Sequence, residues 1–279
     1  MPANFNGQKL DWNACAFFFV FCPNNSGTTV LSKYLARQLG AYLPPFGNSE
    51  GQMAPDVKAM MRLQPWSKKR KFDWLFIRHS WEALAEGRLF IEASPPNLMR
   101  FDQIAQVFGS DSSALVSICS PYQHVASCMR RYNKPGADLS AIADRWVPKA
   151  KQIRALREAY PHFPFLAHET FVQDATSLNR ALSLEVRPFT EKGKKGSGGK
   201  GVQDLTVRTM SFLESQEIDE LTKLLEPHAE LLEFFGYSMA DGQEMVASMR
   251  ATSAEEFDRG RARRAAWNKG VESAQKAAT

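Results

Sequence analysis

Cysteine is scarce in this chain: four in 279 residues, at Cys15, Cys22, Cys119 and Cys128. None pair as CxxC and most lie in apolar strand-like runs, so no disulfide framework is encoded and the thiols read as reduced, packed and cytoplasmic. No Cys, His and acidic residues recur at ligand spacing, so no metal site is expected. Long hydrophobic runs are missing too. The strongest, residues 14–22, is too short to span a bilayer and lacks the basic start of a signal peptide, so no membrane span is expected. Internal repeats are absent. Excess charge is small: 35 basic and 30 acidic residues leave +5, with a pI near 9.0. That balance suits an anionic ligand but lacks the density of a dedicated nucleic-acid binder, so a small-anion site is expected and no nucleic-acid partner.

What is present is apolar material, 44% of the chain, enough for one large α/β domain or two small ones. Residues 14–22 end at Pro23, Asn24 and Asn25 and suit a central parallel strand covered on both faces. A helix follows: Val30, Leu31, Tyr34, Leu35 and Leu39 recur at helical spacing, and Gly40 is its stop. Residues 41–70 lose periodicity and gain Pro, Gly, Asn and Met, which predicts an irregular excursion that holds an acceptor. Further strands are expected over 89–94, 114–119 and 164–168, and helices over 97–108, 122–132, 144–160 and 215–235. Strands alternating with helices predict an α/β fold whose central parallel sheet has right-handed crossovers and flanking helices. Residues 191–201 form a glycine- and lysine-rich loop. On this reading 1–237 is the α/β domain, and 238–279 a basic, alanine-rich helical C-terminal tail outside the core.

Ser26, Gly27, Thr28 and Thr29 stand where the first strand hands over to its helix. Unpaired backbone N–H groups and the positive end of a helix dipole converge there, which suits a phosphate. Gly27 lets the chain approach a ligand closely, and the two threonine hydroxyls add donors. A serine cap on an ordinary helix is the alternative. No Lys follows at GxxxxGK spacing, so this is not a Walker A loop, which disfavours an ATP kinase. Instead, Pro23, Ser26, Gly27, Thr28, Thr29 and Leu31 resemble the 5′-phosphate loop of sulfotransferases that use 3′-phosphoadenosine 5′-phosphosulfate (PAPS), close to Pro-Lys/Arg-Ser-Gly-Thr-Thr-x-Leu.

The resemblance continues in order along the chain. Glu92, Ser94, Pro95, Asn97 and Arg100 are similar to the family's Glu-Lys-Ser-Pro-x-Asn-x-x-Arg segment. Residues 115–127 resemble its 3′-phosphate motif, in which a Ser lies eight residues after a strand-ending Arg; here Ser127 lies eight after Cys119. Residues 165–172 resemble the strand carrying Tyr-Glu-Asp-Leu, and 231–237 the closing helix. The resemblance implies a P-loop-like three-layer fold. It also implies PAPS as donor, with the bisphosphate PAP as product, and sulfuryl transfer to a hydroxyl or amine of a small-molecule or glycan acceptor.

Three cations of the family pattern are replaced, by Asn25, Ala93 and Cys119. A charge-assisted contact is worth roughly twice a neutral hydrogen bond, so a catalytically impaired PAPS/PAP-binding regulatory or scaffolding protein is the alternative. Substitutes are at hand. Arg130 and Arg131 lie one helical turn past Ser127, and Arg100 or Arg78 could reach the sulfuryl group. Lys194, Lys195 and Gly196, with Lys192 and Lys200, resemble the family's loop over the 3′-phosphate; a basic surface loop is the alternative. The binding set so implied is Asn25, Ser26, Gly27, Thr28, Thr29, Ser127, Arg131, His168, Lys194, Lys195 and Gly196.

Sulfuryl transfer needs an aligned acceptor, a base and donors, and the family uses no metal. Glu92 is the first candidate base, because a carboxylate at a strand's carboxyl end opens toward the ligand crevice of α/β folds. It could instead orient Arg100 or cap the next helix. His79 and Glu50 come second, His79 either as a near-neutral base or as a surface histidine. His168, where the family has Tyr, is expected against the adenine. Trp66, Phe72, Trp74, Phe76 and Trp81 line an apolar acceptor cleft or belong to the core. The basic tail, with Arg259, Arg261, Arg263, Arg264 and Lys269, could lie on the partner subunit of a homodimer or remain solvated.

Overall fold

The computed structural model describes residues 2–132, 139–189 and 201–278. In chain order its elements begin with β1 (Phe17–Phe21), α1 (Thr28–Leu39), α2 (Pro55–Met61), α3 (Trp74–Ala85), β2 (Phe90–Glu92), α4 (Phe101–Phe108) and β3 (Ser112–Ile118). Then come α5 (Pro121–Tyr132), α6 (Leu139–Ala159), β4 (Phe165–Ala167), α7 (His168–Gln173) and α8 (Thr176–Leu182). The remainder is α9 (Thr206–Met210), α10 (Ser215–Leu225), α11 (Ala229–Phe234), α12 (Gly242–Thr252) and α13 (Ala254–Ala278). Two compact units result: Met1–Ile118 with Gln152–Gln203, and Cys119–Lys151 with Asp204–Thr279.

The first unit is built on β1. Its five apolar residues are buried throughout, as a strand covered on both faces must be. Phe17 and Phe19 put one face against Phe108, with ring centroids 4.9 and 5.2 Å away, and Phe17 lies 6.3 Å from Trp81. Phe18 and Val20 put the other face against Leu31, Tyr34 and Leu35 of α1 and Phe171 of α7. The apolar stripe of α1 thus docks on the strand that precedes it, and Gly40, at φ 65°, ends the helix. Among the described residues the strands form a parallel sheet ordered β2-β1-β3-β4. Phe19 lies opposite Glu92 on one side and Ala114 on the other, and Val116 opposite Phe165. This is the α/β architecture expected from the alternation of elements. Along β2, Tyr42 closes the outer side: its N–H donates to Leu89 O at 2.8 Å, and its carbonyl accepts from Ile91 N at 2.9 Å.

Two expected helices are divided. The segment over 97–108 begins as a 3-10 helix, Pro95–Arg100, and becomes α-helical only at Phe101. The segment over 215–235 breaks at Pro227 into α10, the 3-10 turn Glu226–His228 and α11.

In the second unit α13 contributes core: Phe257 is 1% exposed. Arg208 of α9 holds Glu256 through Nη2 at 2.8 Å, and Arg264 Nη2 meets Glu217 of α10 at 2.6 Å. No described helix is long and apolar enough to cross a membrane.

Candidate functional site

The chain leaves β1, turns through residues 22–27 and enters α1. Asn25 and Gly27 both take left-handed backbone, at φ 62° and 73°, a region in which Asn is tolerated and Gly unstrained. Gly27 is the N-cap of α1 and offers no side chain; its carbonyl accepts from Val30 N and Leu31 N, both at 3.1 Å. The first-turn N–H groups have no carbonyl four residues back within the helix, and they gather at its positive end. Thr28 Oγ1 lies 3.5 Å from both Pro23 O and Cys22 Sγ, so this hydroxyl braces the loop from within. Burial pushes the Cys22 thiol up to about 11 against hydrogen bonds from Thr28, Ser26 and Ser117. The thiol is therefore neutral and serves packing.

His168 is the first residue of α7, just past β4. A Cβ added to Gly27 would lie 2.0 Å from His168 Cε1 and 2.5 Å from Nδ1. The imidazole therefore rests on the glycine of the loop, and only glycine fits beneath it.

A second cluster forms at the end of β2. Glu92 is 1% exposed. Its Oε2 accepts from Gly51 N at 2.8 Å, and its Oε1 from Ser94 N and Asn97 Nδ2, both at 2.9 Å. Ser94 Oγ accepts from Gln52 N at 3.1 Å, and Trp81 Nε1 donates to Gly51 O at 3.2 Å. These bonds fasten residues 51–52, from the irregular excursion, to the carboxyl end of β2. A Cβ at Gly51 would lie 2.1 Å from Glu92 Oε2, so this turn too requires glycine. Burial raises the Glu92 carboxyl to about 7 against the hydrogen bonds from Ser94 and Gly51, and the neighbouring Glu50 charge pushes it further up. The structure thus brings the two carboxylate candidates, Glu92 and Glu50, into one electrostatic neighbourhood.

The fold of this chain matches that of a sulfotransferase from Alicyclobacillus acidocaldarius with a TM-score of 0.51 at 16% identity, over 78% of this chain and 94% of that one. This chain has the sulfotransferase fold. Sulfotransferase domains from the curacin biosynthetic pathway and from the Synechococcus PCC 7002 olefin synthase also align. Their TM-scores are 0.43 and 0.40 at 16% and 18% identity, over 67% and 61% of this chain and 81% and 74% of theirs. No protein-family model and no curated protein matches the sequence.

Within this sulfotransferase fold the remaining candidates are dispersed. His79 lies on α3 with its side chain 75% exposed, Nδ1 3.2 Å from Glu82 Oε2. Arg78, expected to be able to reach a sulfuryl group, is held instead by Glu82 at 2.8 Å, Val107 O at 3.0 Å and Asp111 at 3.2 Å. Ala93 and Cys119, at positions where the sequence resemblance leads one to expect cations, are both buried. Ser127 and Arg131 lie on α5, in the second unit. There the neighbouring Arg130 guanidinium is driven down by burial and by the charges of Arg263, Arg131 and Arg208. The sequence names the pair on α5 but not Arg208, because only the fold brings α9 against α5. Lys194, Lys195 and Gly196 lie outside the described residues. Of the aromatics, Trp74 and Trp81 are core, whereas Trp66 and Phe76 are exposed.

Proposed function

We propose that this protein transfers a sulfuryl group from PAPS to a hydroxyl or amine of a small-molecule or glycan acceptor. The observation that carries the reading is the β1–α1 turn of the sulfotransferase fold, where left-handed Gly27 caps α1 directly beneath the His168 ring. The residues present suit the nucleotide: first-turn amides at the positive end of a helix and a polar ring beside them are what a phosphate on a nucleoside requires.

On this reading the amides of Ser26, Gly27, Thr28 and Thr29 hold the 5′-phosphate, Asn25 adds an uncharged donor, and His168 borders the nucleoside. Ser127 and Arg131 remain the assignment for a further phosphate. When bound, PAPS supplies a sulfuryl group whose bond to the phosphate oxygen breaks as the acceptor's oxygen or nitrogen bonds to sulfur. Glu92 takes the acceptor's proton. A carboxylate has about four acceptor positions, and three are filled by N–H donors that fix its orientation. A carboxyl raised to about 7 is matched to work near neutrality.

The test is calorimetry with PAP, followed by incubation with mass-tagged donor and a panel of phenols, sugars, amines and steroids. Wild-type protein should release heat with PAP and label at least one acceptor, and Gly27→Val should do neither. Binding without any transfer would favour a regulatory or scaffolding protein instead. No heat with PAP would overturn the nucleotide assignment.

A further inference from the structure

Arg100 ends the 3-10 helix that follows Glu92 and is 1% exposed. Its Nη2 donates to the carbonyls of Gln64, at 3.2 Å, and Pro65, and its guanidinium stacks 4.1 Å from the centroid of Phe72. The Nε and Nη1 of Arg100 are buried with no hydrogen-bond partner. Arg70 approaches the same ring at 5.6 Å, and its buried Nε is also unpartnered. Neither forms an ion pair among the described residues. Two like charges on one aromatic ring, with buried donors and no counter-charge, are costly unless an anion joins them. The strain registers on Arg100, which burial and the Arg70 charge lower to about 10.

The setting says what kind of molecule brings that anion. Asn97, in the same 3-10 helix as Arg100, donates to Glu92 through Nδ2, while its Oδ1 and the Oε1 of Gln52 are buried without partners. Unsatisfied acceptors thus lie beside the candidate base and unsatisfied donors one helical turn further on. The segment that supplies Gln64, Pro65 and Arg70 also exposes Leu63 and Trp66. Of the six exposed large hydrophobic residues among those described, four are Leu63, Trp66, Leu75 and Phe76.

We propose that Arg100 and Arg70 form an anion subsite for the acceptor, and that the acceptor is an amphiphilic carboxylic acid. Its hydroxyl or amine faces Glu92, Asn97 and Gln52, its carboxylate faces the two guanidiniums, and its apolar body lies along residues 63–76. This rests on the reading of Glu92 as the acceptor's base.

The test compares 3-(4-hydroxyphenyl)propionate with its methyl ester, by calorimetry on the full chain. Wild type should bind the acid at least about tenfold more tightly than the ester. Arg70→Gln and Arg100→Gln should each bring that ratio to near one, with Arg100→Lys between, while PAP affinity stays within about twofold. Equal affinity for acid and ester, no binding of either, or a preference surviving both substitutions would overturn the proposal. A parallel loss of PAP binding would also overturn it, by moving the cations to the donor. Arg70→Gln carries the comparison if the buried Arg100 variants fail to fold. Failure of the nucleotide reading shows separately, as absence of PAP binding in wild type.

Discussion

Gly27 is constrained twice, by a backbone at φ 73° and by an imidazole where its side chain would be. Either constraint alone would tolerate some substitutions; together they leave none. Gly27→Ala should lose about 1–3 kcal/mol of stability, part from left-handed strain and part from the collision with His168. Adding His168→Ala should return the collision share but not the backbone share, so urea unfolding of the two single variants and the double should be non-additive. Strict additivity would mean that the ring does not lie on the glycine. The loop was legible in the sequence because everything that defines it is local: a strand, a turn and a helix within residues 17–39. Its lid was not. Residue 168 reaches residue 27 only through the pairing of β4 with β3 and of β3 with β1, and residue types alone do not disclose which side chain covers which backbone.

At the level of elements, the strands could be read because their apolar runs are short and end at punctuation, as at Pro23 and Pro95. The division of 215–235 was missed because apolar spacing continues across Pro227 while the α-helical ladder does not, and nothing in residues 97–108 marks the change from 3-10 to α geometry at Phe101. Harder to foresee was the joining of β2 to the 3-10 turn Gly51–Met53 through one carboxylate, since nothing in residues 41–70 marks Gly51 as its partner. That joint responds to pH. The folded Glu92 carboxyl is raised from 4.5 to about 7, so the folded state holds its proton more tightly than the unfolded chain does. Its contribution is complete below about pH 4.5 and is lost as pH rises through about 7, by at most about 3 kcal/mol. Glu92→Gln stays neutral and should escape this fall. Urea unfolding from about pH 5 to about pH 8 should show the variant gaining on wild type as pH rises, and parallel profiles would refute the shift.

For the molecule as a whole, composition favoured a small-anion site over a nucleic-acid groove, and the order of elements pointed to the architecture found. The place of the last helix could not be read, because α13 is mostly polar and its one deeply buried aromatic, Phe257, stands among charges. Arg250 and Arg261 approach that ring at 4.9 and 5.1 Å. Phe257→Ala should cost about 3–5 kcal/mol, lowering the thermal midpoint and opening residues 204–252 to proteolysis. An unchanged midpoint and cleavage pattern would place the helix outside the core.

The Tyr42 bridge along β2 has one more effect. Open sheet margins are where one polypeptide can template onto another, by swapping or by amyloid-like growth. With Leu89 O and Ile91 N taken up by Tyr42, the β2 margin offers a neighbour less backbone to pair with, which leaves β4 as the more open margin of the described sheet.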